Sequence, residues 1–152
     1  MIRHAVRFDG AAEALRAALL ACALAAAAAC SSSTSPTIGT ISMAGLAGNW
    51  RLELLQPLGG QPVLTPAGAT YTLTLSNGLA GLRADCNVCR AEFTLLGDSL
   101  NLPTGMACTL AACPTASFEA MYTRIIAGEN RVGILGSTMT LVSARGVLRF
   151  NR

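Results

Sequence analysis

The first sustained alternation of apolar and polar residues is Trp50-Arg51-Leu52-Glu53-Leu54, with Trp50, Leu52 and Leu54 on one face and Arg51 and Glu53 on the other. Successive side chains of a strand point to opposite faces, so this pattern predicts a half-buried strand starting near Gly48. Pro57 to Gly60 ends it, and Val63-Leu64 forms a short segment before Pro66-Ala67-Gly68. Tyr71, Leu73 and Leu75 align in the next strand, and the following Asn77-Gly78 offers two positions that tolerate positive φ, which predicts a hairpin. Leu79 to Asp85 then returns antiparallel, Cys86 to Cys89 makes a tight crossing into Arg90 to Leu96, and Gly97-Asp98 turns the chain into Ser99 to Leu102. The tail alternates again through Arg131 to Leu135, Thr138 to Val142 and Val147 to Phe150, with turns at Gly136-Ser137 and Ser143 to Gly146. Such short connections place successive strands side by side in one sheet.

Between Pro114 and Gly128 the period changes. Phe118, Met121, Tyr122, Ile125 and Ile126 recur at helical spacing and form an apolar stripe that must lie on the sheet or across an open barrel end. Thr115 or Ser117 can cap the helix, Glu119 suits its first turn, and Gly128 suits its end. The expected fold is mainly β: a small antiparallel β-barrel-like domain over residues 46–152, with seven to nine strands and one packed α-helix. Closing the sheet would remove edges that invite aggregation. Thr37 to Leu46, rich in small residues, reads as a mobile lead-in.

Ahead of this domain the pattern is that of an export signal. Arg3, His4, Arg7 and Arg16 precede the apolar run Ala17 to Ala29, which ends at Cys30. Thirteen helical residues reach only about 20 Å, too short for a permanent span. Ala27-Ala28-Ala29-Cys30, followed by the polar Ser31 to Pro36, looks like a bacterial lipobox with its tether, although Ala27 stands where Leu or Val is usual. Residues 1–29 are thus expected to be a signal peptide, Cys30 a lipidated residue and 30–45 a flexible tether. Cys22 is a rival that no tether follows. The mean hydropathy of +0.49 owes part of its height to the leader.

Charge excludes more than it suggests. All 11 basic residues are Arg, and from Cys30 onward eight arginines stand against six acids, scattered rather than striped. That distribution is the wet face of a sheet, and no nucleic-acid partner is expected. The only histidine, His4, lies in the leader, so the domain has no imidazole base and most Ser-His-Asp or Cys-His chemistry is excluded. No phosphate loop or dinucleotide fingerprint is present, and no cofactor is expected. Asp85, Glu92, Asp98 and Glu119 read as single solvated acids rather than a catalytic pair.

Cys86, Cys89, Cys108 and Cys113 form an even set in an exported domain, which makes a disulfide framework the first expectation, ahead of a zinc site or a dithiol-exchange site. Three pairings are open. Pairing within Cys86/Cys89 and Cys108/Cys113 closes very small loops. The arrangement Cys86 with Cys108 and Cys89 with Cys113 is preferred, because it ties the inter-strand turn to the segment leading into the helix.

Along the chain stand, in order, Gly48-Asn49-Trp50, Cys86-Asn87, Glu92-Phe93-Thr94, Thr104-Gly105-Met106-Ala107-Cys108, Phe118-Glu119 with Met121-Tyr122, and Gly136 to Leu141 followed by Leu148-Arg149-Phe150. This ordered set resembles the META domain, the heat-shock lipoprotein-like family of bacterial envelope proteins. Arg83, Ala84, Asp85 and Ala91 stand where glycines are usual, Met139 replaces a leucine, and Cys89 and Cys113 are additional to the commoner pair. The resemblance implies a lipocalin-topology β-barrel-like fold packed by one helix, Cys86–Cys108 as the ancestral bridge, and structural roles for Trp50, Asn87, Phe93, Met106, Phe118, Tyr122 and Phe150. It carries no catalytic or metal-binding residues. The expected role is a non-catalytic envelope lipoprotein, held to the membrane by its lipid, serving as an interaction, structural or stress-related module for an envelope protein or polymer, in an unknown oligomeric state. A small-ligand or metal carrier and an unrecognised enzyme are the alternatives.

Overall fold

The computed structural model describes residues 41–152; the expected leader, Cys30 and most of the tether lie outside them. Eleven strands and two helices follow in chain order. They are α1 (Met43–Leu46), β1 (Gly48–Pro57), β2 (Val63–Leu64), β3 (Tyr71–Ser76), β4 (Leu79–Ala84), β5 (Asn87–Glu92), β6 (Thr94–Leu96), β7 (Ser99–Leu102), β8 (Ala107–Cys108), α2 (Ala116–Ile126), β9 (Gly128–Leu135), β10 (Thr138–Ser143) and β11 (Gly146–Asn151). Every ladder is antiparallel, in the order β6-β7-β9-β10-β11-β1-β3-β4-β5-β8, with β2 added beside β1. The result is a curled, open sheet against which one long helix packs. The strand count exceeds the expected seven to nine because short pairs such as β2 and β8 carry no periodicity of their own.

Period two positions the core. Trp50 and Leu52 of β1, Tyr71, Leu73 and Leu75 of β3, Leu82 of β4, Leu141 of β10 and Leu148 and Phe150 of β11 all point inward and are almost fully buried. One departure is instructive. The β1–β11 register shifts between Leu52 and Leu54, and this bulge turns Leu55 into the core while leaving Leu54 half-buried on the other face. Leu54 was expected inside with Trp50; one extra residue in a strand reverses the facing of everything after it.

The Asn77-Gly78 hairpin forms as its sequence requires, with φ of 51° and 78°. The next turn is tighter than expected, spanning Asp85 and Cys86, with Asp85 at φ 56° and β5 already begun at Asn87. Helix α2 starts after Thr115 and ends at Ile126, before Gly128 at φ 86°. Its last turn is held by Asn130, whose Nδ2 donates to the Ile126 carbonyl at 2.8 Å, and by Arg145, whose Nη2 donates to the Ala127 carbonyl at 2.7 Å. Phe118, Tyr122, Ile125 and Ile126 are buried beneath it. The rings of Tyr71, Phe118, Tyr122 and Phe150 meet edge to face, with centroids 4.7 to 6.4 Å apart.

Ordered structure begins earlier than the sequence suggests. Ser42 Oγ accepts from the Gly45 N–H and caps α1, Leu46 is fully buried, and the Leu46 carbonyl accepts from Trp50 Nε1 at 2.9 Å. Trp50 thereby satisfies its buried N–H, while the Arg152 guanidinium covers its ring at 4.4 Å.

Candidate functional site

The densest polar constellation lies where the β4–β5 turn, the segment 103–115 and the start of α2 converge. Asn87 is 2 % exposed and stands at its centre. Its Oδ1 accepts from the Ala111 N–H at 2.8 Å and from Thr109 Oγ1 at 3.0 Å. Because a backbone N–H can only donate, this fixes the amide, and Nδ2 faces the Glu119 carboxylate at 2.9 and 3.1 Å, the Ala111 carbonyl at 3.0 Å and Cys113 Sγ at 3.2 Å. Thr109 also accepts from the Val88 N–H, so a single side chain bonds both the strand and Asn87.

A second chain of bonds runs beside the first. Thr115 Oγ1 donates to Asp85 Oδ2 at 2.7 Å, and since that proton is committed, the Tyr71 hydroxyl must donate to Thr115 Oγ1 at 2.6 Å. Thr115 is the residue preceding α2, as expected, but its hydroxyl serves Asp85 and Tyr71 rather than a helix N–H. Burial pushes the Tyr71 phenol above its ordinary range, opposed by the Thr115 hydrogen bond and reinforced by the Asp85 and Glu119 carboxylates. Such a phenol stays protonated at neutral pH and is no base. Glu119, expected to be a solvated first-turn acid, is instead half-buried and bonded to Asn87.

The disulfides correct the preferred pairing. The bridges are Cys86–Cys113 and Cys89–Cys108, not Cys86–Cys108 and Cys89–Cys113. The reason is the direction of the chain. Cys89 and Cys108 are register partners in the antiparallel β5–β8 ladder, with Cα atoms 4.0 Å apart. Moving back from Cys89 to Cys86 therefore means moving forward from Cys108 towards Cys113, so the two bridges nest; the crossed arrangement would need β8 to run parallel to β5. Each bridge joins a buried sulfur, on Cys89 or Cys113, to an exposed residue, Cys108 or Cys86.

The other expected structural residues are dispersed through the fold. Trp50 and Phe150 are fully buried in the sheet, and Phe118 and Tyr122 lie beneath α2. Phe93 is 7 % exposed between β5 and β6, and Met106 is partly buried against the core. Only Asn87 enters the polar cluster. Tyr71, Thr109 and Thr115 join it through relations that are not local: Tyr71 lies two strands from Asn87 across β4, Thr109 meets Asn87 from 22 residues further along the chain, and Thr115 meets Tyr71 across 44. Beside the cluster a groove of about 410 Å³ runs between α2 and segment 103–110, lined among others by Met106, Leu110, Glu119, Arg124 and Arg145.

What the arrangement can do chemically is limited. Asp85 and Glu119 are each engaged by hydrogen-bond donors within the cluster. Among the described residues, no group of three or more His, Cys, Asp or Glu side chains is placed to hold a metal ion.

These features define a disulfide-fastened, mainly β domain with a curled sheet and one packed helix. The META domain model matches residues 44–152, and the chain belongs to the META domain family. A solved NMR structure of a protein from Burkholderia xenovorans is similar over 72 % of this chain and 85 % of its own, at 24 % identity and a TM-score of 0.60. A second NMR structure covers 73 % of this chain and 94 % of its own, at 17 % identity and a TM-score of 0.57. Both likenesses concern the fold alone. No curated protein matches the chain.

Proposed function

We propose that this chain is a non-catalytic lipoprotein of the bacterial envelope, a compact interaction or structural module carried on the periplasmic side by a lipid on Cys30 and engaged in envelope stress. The observation that carries this reading is the polar cluster: the Glu119 carboxylate is held by Asn87 and the Asp85 carboxylate by Thr115, so both acids are tied into the fold and the domain is left to act through its surface. Residues 1–29 serve as the signal peptide and Cys30 begins the tether. The sheet is taken as functionally barrel-like, of lipocalin topology. The chain passes from β5 into β6 through Phe93 alone, and Phe93 donates its N–H to the Gly78 carbonyl at 2.8 Å, both of which favour a single long bent strand.

The test is metabolic labelling with an alkynyl fatty acid in a bacterial host, comparing the parent with Cys30→Ser. Label on the parent, none on the variant, and a shift of the variant from the membrane to the soluble periplasmic fraction are expected. An unlabelled parent would overturn the anchor. For the non-catalytic role, a strain lacking the gene and impaired under envelope stress should be restored as well by Glu92→Gln or Asp98→Asn as by the parent. Loss of rescue with a folded, equally abundant variant would point to carboxylate chemistry.

A further inference from the structure

One end of the domain gathers features that the fold itself does not use. Because the strands alternate in direction, the β3–β4, β6–β7 and β9–β10 turns open towards the same end, and β1 begins there, Gly48 being paired with Leu75. Each of these three hairpins carries an exposed leucine next to its turn: Leu79 at 60 %, Leu96 at 84 % and Leu135 at 87 % exposure. Met43 adds a fourth apolar side chain at 45 %, in a cleft that α1 shares with Leu75, Asn77 and Phe93. The carboxylates of this rim are Asp98, paired with Arg131 at 2.8 Å, and Glu92, the register partner of Leu79; Arg152 adds a cation. A singly exposed leucine is ordinary on a protein surface, but one stands beside each of the three turns at this end, which lines the rim with apolar side chains.

We infer that this end is a membrane-facing surface, with Leu79, Leu96, Leu135 and Met43 seated in the interfacial layer of the bilayer to which Cys30 is anchored. The inference rests on the proposed lipidation of Cys30. The chain reaches the domain at this same end, at Ile41, and the eleven residue steps from Cys30 span at most about 40 Å. An anchor so close to Ile41 brings the rim to the bilayer and keeps it there at high local concentration, so that a few leucines suffice where they could not hold an untethered protein. The opposite end also exposes leucines, Leu58 at 76 %, Leu64 at 72 % and Leu110 at 94 %, but α2 lies there with Glu119, Arg124 and Arg145, and the described chain begins at the other end, at Ile41.

The experiment uses the full chain, produced with its own leader, extracted from membranes and reconstituted into vesicles of phosphatidylethanolamine and phosphatidylglycerol. Leu96→Trp, Leu135→Trp and, as the control at the far end, Leu64→Trp are compared in lipids brominated along their acyl chains, against the fixed background of buried Trp50. Quenching of the Leu96 and Leu135 variants by roughly half or more, with the Leu64 variant near background, is expected for side chains seated 5–10 Å into the boundary. Flotation of the vesicles reads the anchor separately. Protein that floats but shows no rim quenching, or equal quenching at Leu64, overturns the docking and leaves the anchor standing. Protein that fails to float overturns both.

Discussion

Two parts of this domain are held by different physics. The β9–β10–β11 meander is built from alternating residues whose inward members, Val132, Met139, Leu141, Leu148 and Phe150, are buried, and its register follows from that alternation and two short turns. The segment from Pro103 to Pro114 has no such pattern. It is exposed at nearly every residue and pairs with β5 only at Ala107 and Cys108. Two disulfides, the Asn87 amide and the Thr109 hydroxyl hold it against the sheet and the start of α2. Where hydrophobic periodicity specifies position, no fastener is needed; where it is missing, covalent and polar fasteners supply what burial does not.

Removing the outer fastener should separate the two regions most sharply. The Cys86→Ala/Cys113→Ala double variant opens a loop with a sequence separation of 27. Because the inner Cys89–Cys108 bridge stays closed, the ring released is only about ten residues, for which chain entropy predicts a loss of about 2.5–3 kcal/mol, read from urea midpoints without reductant. Hydrogen exchange should rise in residues 103–115 and in the first turn of α2 well before it rises in β9–β11. Equal loosening of both regions would show that the comparison is mistaken. Asn87→Ala should follow at about 2–3 kcal/mol, because it strands the Ala111 N–H and the Thr109 hydroxyl while removing the donor that meets Glu119. Glu119→Ala should cost less, about 1–2 kcal/mol from its helix-end position and its contact with Asn87, since the carboxylate is half-exposed. A double-mutant cycle over the two positions checks that they act together: a coupling near zero would dissolve the clasp into independent contacts.

Legibility in the sequence divides along the same line. The β3–β4 hairpin, the α2 stripe and the tail strands could be read because each is encoded within a few residues, by Asn77-Gly78, by Phe118 to Ile126 and by the alternation after Arg131. The features that depart from the local pattern depend on relations between distant residues. The bulge between Leu52 and Leu54 is visible only against β11, and the nesting of the disulfides follows from the direction of a two-residue strand. Helix α1 is four residues long, stabilised by Ser42 and by Leu46 and Trp50 packing, and small residues alone gave no sign of it. Glu119 looked solvated because the donor that meets it lies 32 residues earlier.

The smallest effect at neutral pH, and the one that tests how the clasp meets the core, concerns the buried phenols. Tyr71 and Tyr122 both have their ionisation pushed upward, chiefly by burial. The folded state therefore keeps these protons above pH 10, where the unfolded chain has begun to lose its own. Stability from this source is fully present below the unfolded value of about 10 and is lost as pH rises beyond it, by up to about 1.4 kcal/mol per pH unit for the fully buried Tyr122 and by less for Tyr71, whose hydroxyl lies nearer to solvent. Tyr71→Phe should cost only about 0.5–1.5 kcal/mol at pH 7, since it deletes the hydrogen bond to Thr115 but leaves the ring against Phe118 and Tyr122. Above pH 10 the same variant should lose stability less steeply than the parent, because one of the two phenols is gone. Rapid urea titrations at pH 8, 10 and 11 read both quantities. Parallel pH dependences in parent and variant would mean that Tyr71 ionises as freely in the folded chain as in the unfolded one, and that the bond chain from Tyr71 through Thr115 to Asp85 is open to water.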